Sequence, residues 1–369
     1  MNTLKRWISG VLAVFYMLIP SGYGYAENEK NLNLFIWSDY ITEEALTEFE
    51  TQTGIKVTVD VFDSNEMLEA KLFAGKSGYD VVVPTSEFLK RQIEGGVYRP
   101  LDKKRIPNLT NLDPALMKKV ERFDPGNRHS IIYMWGTNGL GYNPDKVAKV
   151  AGSDAPIDSW KLIFDPKWAE KVSACGLYML DSPTEVIPSA LRYLGLDPNL
   201  KNAANIAKAE ELLLKIRPYV TRFDSAEYVN ALANGDVCVA MGYSGDVLQA
   251  AARAEEAKNG VKVQYVVPNE GSPIWFDMLA VPKDAPHPEN AMAFIDHFLK
   301  PRISAQISNE IQYANANKQA LSLLDTKVRN NPGIYPPDSV LDNLFIHDQV
   351  DQKTIRLLTR SWNRIKTGY

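Results

Sequence analysis

Leu34-Phe35-Ile36-Trp37-Ser38-Asp39-Tyr40 reads as a buried strand that ends in a binding site. Leu32, Leu34, Phe35 and Ile36 supply the apolar body of the strand. The next four residues set two large aromatics around a hydroxyl and a carboxylate. In an open α/β sheet, ligands gather outside the carboxyl ends of the strands. Aromatic faces and a carboxylate together suit an organic cation, because the ring quadrupole and the anion both attract positive charge. The plainer reading is a strand-to-helix turn whose aromatics fill a core.

Outward from this stretch, the first third of the chain alternates strand and helix. A helix is expected from about Thr42, with Leu46 and Phe49 on one face and Gly54 as its stop. Ile55 to Val61 alternates like a strand, and Ser64 is placed to cap a helix carrying Met67, Leu68 and Leu72. Tyr79-Asp80-Val81-Val82-Val83 reads as a buried strand closed by Pro84, with a helix following near Glu87 to Glu94. This order argues for an α/β fold with a largely parallel sheet covered by helices on both faces. Gly136-Thr137-Asn138-Gly139-Leu140-Gly141 lacks the spacing and the Gly-Lys-Ser/Thr ending of a phosphate loop, and reads as a flexible crossover. Helical spacing returns at Ile206, Ala209, Leu213 and Ile216. A second alternation then runs through a helix near Ala226 to Ala233, strand Val237 to Met241, a helix from about Asp246 to Lys258 and strand Val261 to Val267. Phe276 to Val281 reads as a strand, Pro288 to Leu299 as a helix, and the last ~60 residues as mostly helical.

The opening pattern recurs. Tyr243-Ser244-Gly245-Asp246 follows the strand ending at Met241, and Trp275-Phe276-Asp277 stands at the start of another. Three aromatic-plus-acid clusters point to an organic-cation site. Catalysis finds less support. Gly242-Tyr243-Ser244-Gly245-Asp246 falls short of a nucleophile elbow because Asp246 stands where Gly is required. His129, His287, His297 and His347 show no metal-ligand spacing. No metal or cofactor is expected. A secreted glycosidase using two of Asp39, Glu185, Asp246 and Asp277 remains open on residue type alone.

The chain start adds a compartment. Lys5 and Arg6, the apolar run Trp7 to Pro20 and the small residues Gly24-Tyr25-Ala26 read as an export signal over residues 1–26. Its removal makes the formal charge of −4 more negative by two. That mildly acidic balance argues against nucleic acid and anionic membrane as partners. Cys175 and Cys238 are the whole cysteine content, and an even count in an exported protein suggests a disulfide. Two buried thiols are the alternative.

The chain resembles the periplasmic polyamine-binding proteins of bacterial ABC importers, the putrescine and spermidine receptors. The resemblance covers nearly the whole chain after residue 26. It runs through Trp37-Ser38-Asp39-Tyr40, Val61-Phe62-Asp63-Ser64-Asn65-Glu66, Tyr79-Asp80-Val81-Val82-Val83-Pro84, Asn234-Gly235-Asp236-Val237-Cys238, Tyr313-Ala314-Asn315-Ala316-Asn317 and Asn331-Pro332-Gly333-Ile334-Tyr335-Pro336. It implies a two-lobed periplasmic binding protein fold of type II, with the ligand in the cleft between lobes. The expected division is 27–137 and 271–312 for the first lobe, and 138–270 and 313–369 for the second. By the same resemblance, Trp37, Ser38, Asp39, Tyr40, Thr85 and Ser86 line the cleft from one side. Glu185, Tyr243 and Asp246 line it from the other, with Trp275, Asp277 and Tyr313 near the crossovers. The implied partners are a polyamine and an inner-membrane permease, the compartment is the periplasm, and a monomer without membrane insertion is expected. Two departures bear on the ligand. Tyr243 stands where putrescine receptors often have Trp, and Trp275 where they often have Phe. A broader face at Trp275 and more room at Tyr243 favour a longer chain, so spermidine is expected to bind better than putrescine, with a putrescine-preferring receptor as the alternative. Another cation, such as a cationic amino acid, is a further possibility.

Overall fold

Ten strands are present in the computed structural model, which describes residues 30–348 and 350–368; the expected export signal lies outside them. They are β1 (Asn31–Trp37), β2 (Lys56–Phe62), β3 (Val81–Val82), β4 (Ser130–Tyr142), β5 (Leu177–Met179), β6 (Arg222–Phe223), β7 (Val239–Tyr243), β8 (Gln264–Val266), β9 (Ile274–Ala280) and β10 (Ala314–Asn315). β1 runs parallel to β2 and β3, and β5 runs parallel to β6 and β7. The connecting strands are antiparallel, so the sheet is mixed rather than largely parallel.

β4 joins the two parts. It is 13 residues long and buried throughout. Its first part, Ser130–Thr137, pairs with β9, and Asn138–Tyr142 pairs with β7. The Gly136–Gly141 segment is therefore a crossover, but a regular strand and not a flexible one. Gly136 is there for close approach: a Cβ on it would lie 2.6 Å from the Trp275 ring.

Each part has its own core. Leu34, Phe49, Val82, Ile132, Phe276 and Phe294 belong to the first. Leu140, Trp160, Leu177, Tyr228, Met241 and Trp362 belong to the second. The molecule is thus a two-lobed α/β protein. One expected assignment is corrected. Residues 313–369 were expected in the second lobe, yet Tyr313, Ala320, Leu324, Val328 and Ile334 pack into the first core. The reason is β10, which pairs with Met134 and Trp135 in the first part of β4 and holds the chain after it to that side. Helix Gln352–Thr367 returns to the second core through Leu358, Trp362 and Ile365. Between them the chain makes short turns, Lys318–Leu323, Thr326–Arg329 and Asp338–Leu341, rather than sustained helix.

Local chemistry sets the helices that frame the cleft. Thr42 caps helix Glu43–Thr53 by accepting from the Ala45 N–H, and Gly54 ends it at φ 72°, a left-handed conformation that costs glycine little. Ser64 caps helix Asn65–Phe73 from the Met67 N–H. Cys175 and Cys238 form a disulfide across 63 residues, with Cα atoms 5.5 Å apart, inside the second lobe. No helix among the described residues is long and apolar enough to cross a membrane.

Candidate ligand-binding site

A cavity of about 260 Å³ lies between the two cores, where β1 and β7 both end. Every residue expected to line the cleft does so except Ser86. Ser86 is fully buried in the first turn of helix Ser86–Glu94, and its hydroxyl donates to Glu87 Oε2 at 3.2 Å, so it faces away from the cavity. Its neighbour Thr85 occupies the N-cap position of that helix without capping it. The Thr85 hydroxyl donates instead to Asp277 Oδ1 at 2.7 Å.

The aromatics form a connected wall. Trp275 on β9 meets Tyr243 and Tyr313 edge to face, with centroids 5.9 and 5.4 Å apart. Tyr313 meets Tyr40 at 5.2 Å. Trp37 leans on Phe62 at 4.5 Å and is fixed by its indole N–H donating to the Val83 carbonyl. Tyr313 reaches this wall because residue 245 is glycine; a Cβ there would lie 2.4 Å from its ring.

Six acids line the cavity; Asp63 and Glu227 are exposed to solvent, and the other four are held differently. Asp277, 5% exposed, accepts hydroxyl bonds from Tyr40 at 2.8 Å and Thr85. Burial pushes its pKa up to about 7, with Glu87 and Glu185 adding to the rise and the two hydroxyls opposing it. Asp246, in the first turn of helix Ser244–Ala257, accepts from Tyr313 at 2.6 Å and Tyr228 at 2.7 Å. Burial raises its pKa too, against those same hydroxyls. Asp39 stands at the mouth with its side chain 72% exposed, in an ion pair with Arg253 at 2.9 Å. Its φ of 53° is the left-handed conformation that Asp tolerates better than most residues. Glu185 begins helix Pro183–Tyr193, accepts from the Asn138 side-chain amide, and lies 3.6 Å from His347 Nε2. Ser38 lines the mouth beside Asp39.

Neutral hydroxyls hold Asp277 and Asp246, an arginine pairs with Asp39, and Glu185 has a neutral amide donor with a histidine facing it. An enclosed pocket of rings and anions suits a short organic cation: rings cover methylenes, and anions meet the charged ends. Ser244, the residue nearest a nucleophile pattern, spends its hydroxyl accepting the Thr137 N–H at 3.4 Å. No cluster of metal-binding side chains occurs among the described residues.

The family of bacterial extracellular solute-binding proteins matches residues 44–336. The chain belongs to that family. This solute-binding protein is 51% identical over 365 residues to a putrescine-binding periplasmic protein of Pseudomonas aeruginosa, covering 99% of this chain and 100% of that one. It is 49% identical over 365 residues to a putrescine-binding periplasmic protein of Escherichia coli, covering 99% and 98%. It also superimposes on a putative spermidine/putrescine ABC transporter structure from Listeria monocytogenes with a TM-score of 0.82. There the identity is 30%, covering 92% of this chain and all of the other. The solute-binding protein thus has the two-lobed periplasmic binding protein fold, and it is a receptor rather than a glycosidase.

Sequence reasoning missed several groups that build the site of this solute-binding protein. Asn138 donates to Glu185 and accepts the Trp275 indole N–H at 3.1 Å, so one buried amide orients an acid and a ring. Asn65 brackets Thr85, accepting its backbone N–H and donating to its hydroxyl. Tyr228 holds Asp246 and, through the same oxygen, accepts the Tyr243 N–H. Arg253 pairs with Asp39, and His347 faces Glu185. Asn138 was within the quoted Gly-rich segment; a buried amide among small residues was its only local signal.

Proposed function

We propose that this protein is a periplasmic receptor that binds putrescine between its lobes and delivers it to the membrane permease of an ABC importer. The observation that carries the reading is the pair of carboxylates, Asp277 and Asp246, each held by two hydroxyls and, among the described residues, in ion-pair contact with no cation. Each ligand ammonium pairs with one of them, while Trp37, Tyr40, Tyr243, Trp275 and Tyr313 cover the methylenes. An ion pair at ~4 Å is worth about 4 kcal/mol at an effective dielectric near 20, before desolvation is subtracted. Each cation–π contact adds ~0.5–2 kcal/mol. Micromolar affinity requires about 8 kcal/mol net, which two anchored ends and several rings supply.

The spermidine preference expected from Trp275 and Tyr243 gives way to the putrescine alternative. The two relatives near half identity are named for putrescine alone, and the structural relative named for both polyamines is more distant. Within this reading Thr85 positions Asp277, and Asp39 with Arg253 closes the mouth. The lobes, divided near residues 137 and 271 with the chain rejoining the first core through Ile334, close over the ligand and present a joint surface to the permease. The protein acts as a monomer.

A thermal-shift panel on ligand-stripped protein tests the proposal, because a ligand that binds only the folded state raises the melting temperature. Putrescine raises it and arginine does not. A shift with arginine and none with putrescine or any other polyamine overturns the proposal.

A further inference from the structure

Glu185 has a companion that does not line the cavity. His347 is 8% exposed, and its Nε2 is buried with no hydrogen-bond partner among the described residues. It points at Glu185 Oε2 from 3.6 Å, an ion-pair distance longer than a hydrogen bond. The ring is held by its own strap of chain. The Phe345 N–H donates to the Ser272 carbonyl at 3.0 Å, and the Ile274 N–H donates to the Phe345 carbonyl at 2.9 Å, which ties the strap to the start of β9. Phe345 packs edge to face on the His347 ring at 5.4 Å. The next residue, Asp348, is pinned by Lys201 at 2.7 Å and by Arg122. A buried ring nitrogen without another partner, aimed at a buried carboxylate, is placed to pair with that carboxylate whenever the imidazole carries its proton.

We infer that His347 is a positioning residue for ligand selection: its imidazolium answers the charge of Glu185, so away from the solvent-exposed Asp63 and Glu227 only Asp277 and Asp246 stay open to an ammonium, and the cavity selects a diamine over a triamine. The inference rests on the polyamine reading above and deepens it. Hydroxyls leave the charge of Asp277 and Asp246, once ionised, for an arriving ammonium, whereas Glu185 is already answered. A third ammonium brought to Glu185 meets a neutralised acid and a resident cation, and like charges repel. This also explains how a cleft with the broad Trp275 face still suits the shorter ligand.

Charged groups reach His347 from three elements: Glu185 on helix Pro183–Tyr193, Glu87 on helix Ser86–Glu94 and Asp348 on its own strap. Burial draws the His347 pKa down, but Glu185, Glu87 and Asp348 draw it up and prevail, so it lies above the ordinary value. Burial and Glu185 push Glu87 up to about 7, with His347 opposing. As pH rises, both groups lose protons and the Glu185 end becomes more negative. The triamine then gains relative to the diamine. Both ligands share Asp277 and its titration, so the ratio of their affinities removes that contribution.

The test is calorimetry of putrescine and spermidine on polyamine-stripped protein between pH 5.5 and 8, for the wild type and His347→Gln. In the wild type, the preference for putrescine narrows as pH rises. In His347→Gln it is about tenfold narrower at pH 6, the equivalent of one pK unit of coupling, and less dependent on pH. An unchanged ratio in the variant overturns the inference. Should the variant fail to fold, the wild-type imidazole titration followed by NMR decides, because coupling is reciprocal. Spermidine then lowers the His347 pKa more than putrescine does; equal values in the two complexes overturn the inference. Wild-type protein that binds neither polyamine overturns the proposed function itself, a result distinct from an unchanged ratio.

Discussion

Asp277 on the first lobe and Asp246 on the second are built alike, and neither is built like Asp39 or Glu185. The first two lie in the cavity under pairs of hydroxyls from Tyr40, Thr85, Tyr228 and Tyr313. The other two face Arg253 and His347. A hydroxyl satisfies a carboxylate's lone pairs without cancelling its charge, so the inner pair is hydrogen-bonded yet electrostatically open. Burial penalises such a charge, and both pKa values are raised. That penalty is relieved when a cation arrives. Asp39 and Glu185, each facing a basic side chain, need no guest. Number and placement of uncompensated acids, rather than the total of acids, match the ligand.

Breaking the inner pair gives the largest effect. Asp277→Asn and Asp246→Asn each weaken putrescine binding by about 2–5 kcal/mol, the range for truncating one partner of a buried charged pair. Titration calorimetry checks this, and unchanged affinity in both variants removes them as anchors. Removing a supporting hydroxyl costs less. Tyr40→Phe takes one donor from Asp277 and should lose about 1.5–3 kcal/mol of affinity, the range for a hydrogen bond to a charged group. If Tyr40→Phe binds as well as the wild type, the hydroxyls do not prepare the acid.

Acid pH tests the same carboxylate without mutation. With its pKa at about 7, Asp277 in the empty cavity holds a proton below that pH. Its folded value lies above the ~3.9 of an unfolded chain, so its contribution to stability falls as pH rises from ~4 through about 7. An ammonium favours the ionised form and reverses this. Putrescine should therefore bind about tenfold more weakly at pH 6 than at pH 8, one pK unit of free energy. Its stabilising thermal shift should be larger at pH 8. A pH-independent affinity would detach Asp277 from the ligand. The smallest effect belongs to the mouth. Arg253→Ala removes an exposed ion pair worth ~0.2–1 kcal/mol. A loss as large as that of Asp277→Asn would erase the distinction between acids held by hydroxyls and acids that face a basic side chain.

What the sequence disclosed follows from how far each signal reaches. Trp37 to Tyr40, Tyr243 to Asp246 and Trp275 to Asp277 are local clusters at strand ends or starts, and local clusters are legible. Their partners are not local. Arg253 is 214 residues from Asp39, and Tyr40 is 237 residues from Asp277. No window of sequence links Asn138 to Trp275. Periodicity says which face of a helix is buried but not which core buries it. Thus nothing local in the sequence separates Gln352–Thr367, which packs on the second core, from Tyr313 to Ile334, which packs into the first. The Gly136–Gly141 glycines read as flexibility in the sequence, where the side chains that crowd them are invisible. The Trp275 ring and the Ser244 hydroxyl beside Gly136 leave no room for a side chain there.

Competition between putrescine and spermidine on ligand-stripped wild-type protein at pH 7 tests the central claim most directly, because two open carboxylates should admit two ammoniums and gain nothing from a third. At equal concentrations, putrescine is predicted to displace spermidine; spermidine displacing putrescine would show that a third acid is open and would contradict the account.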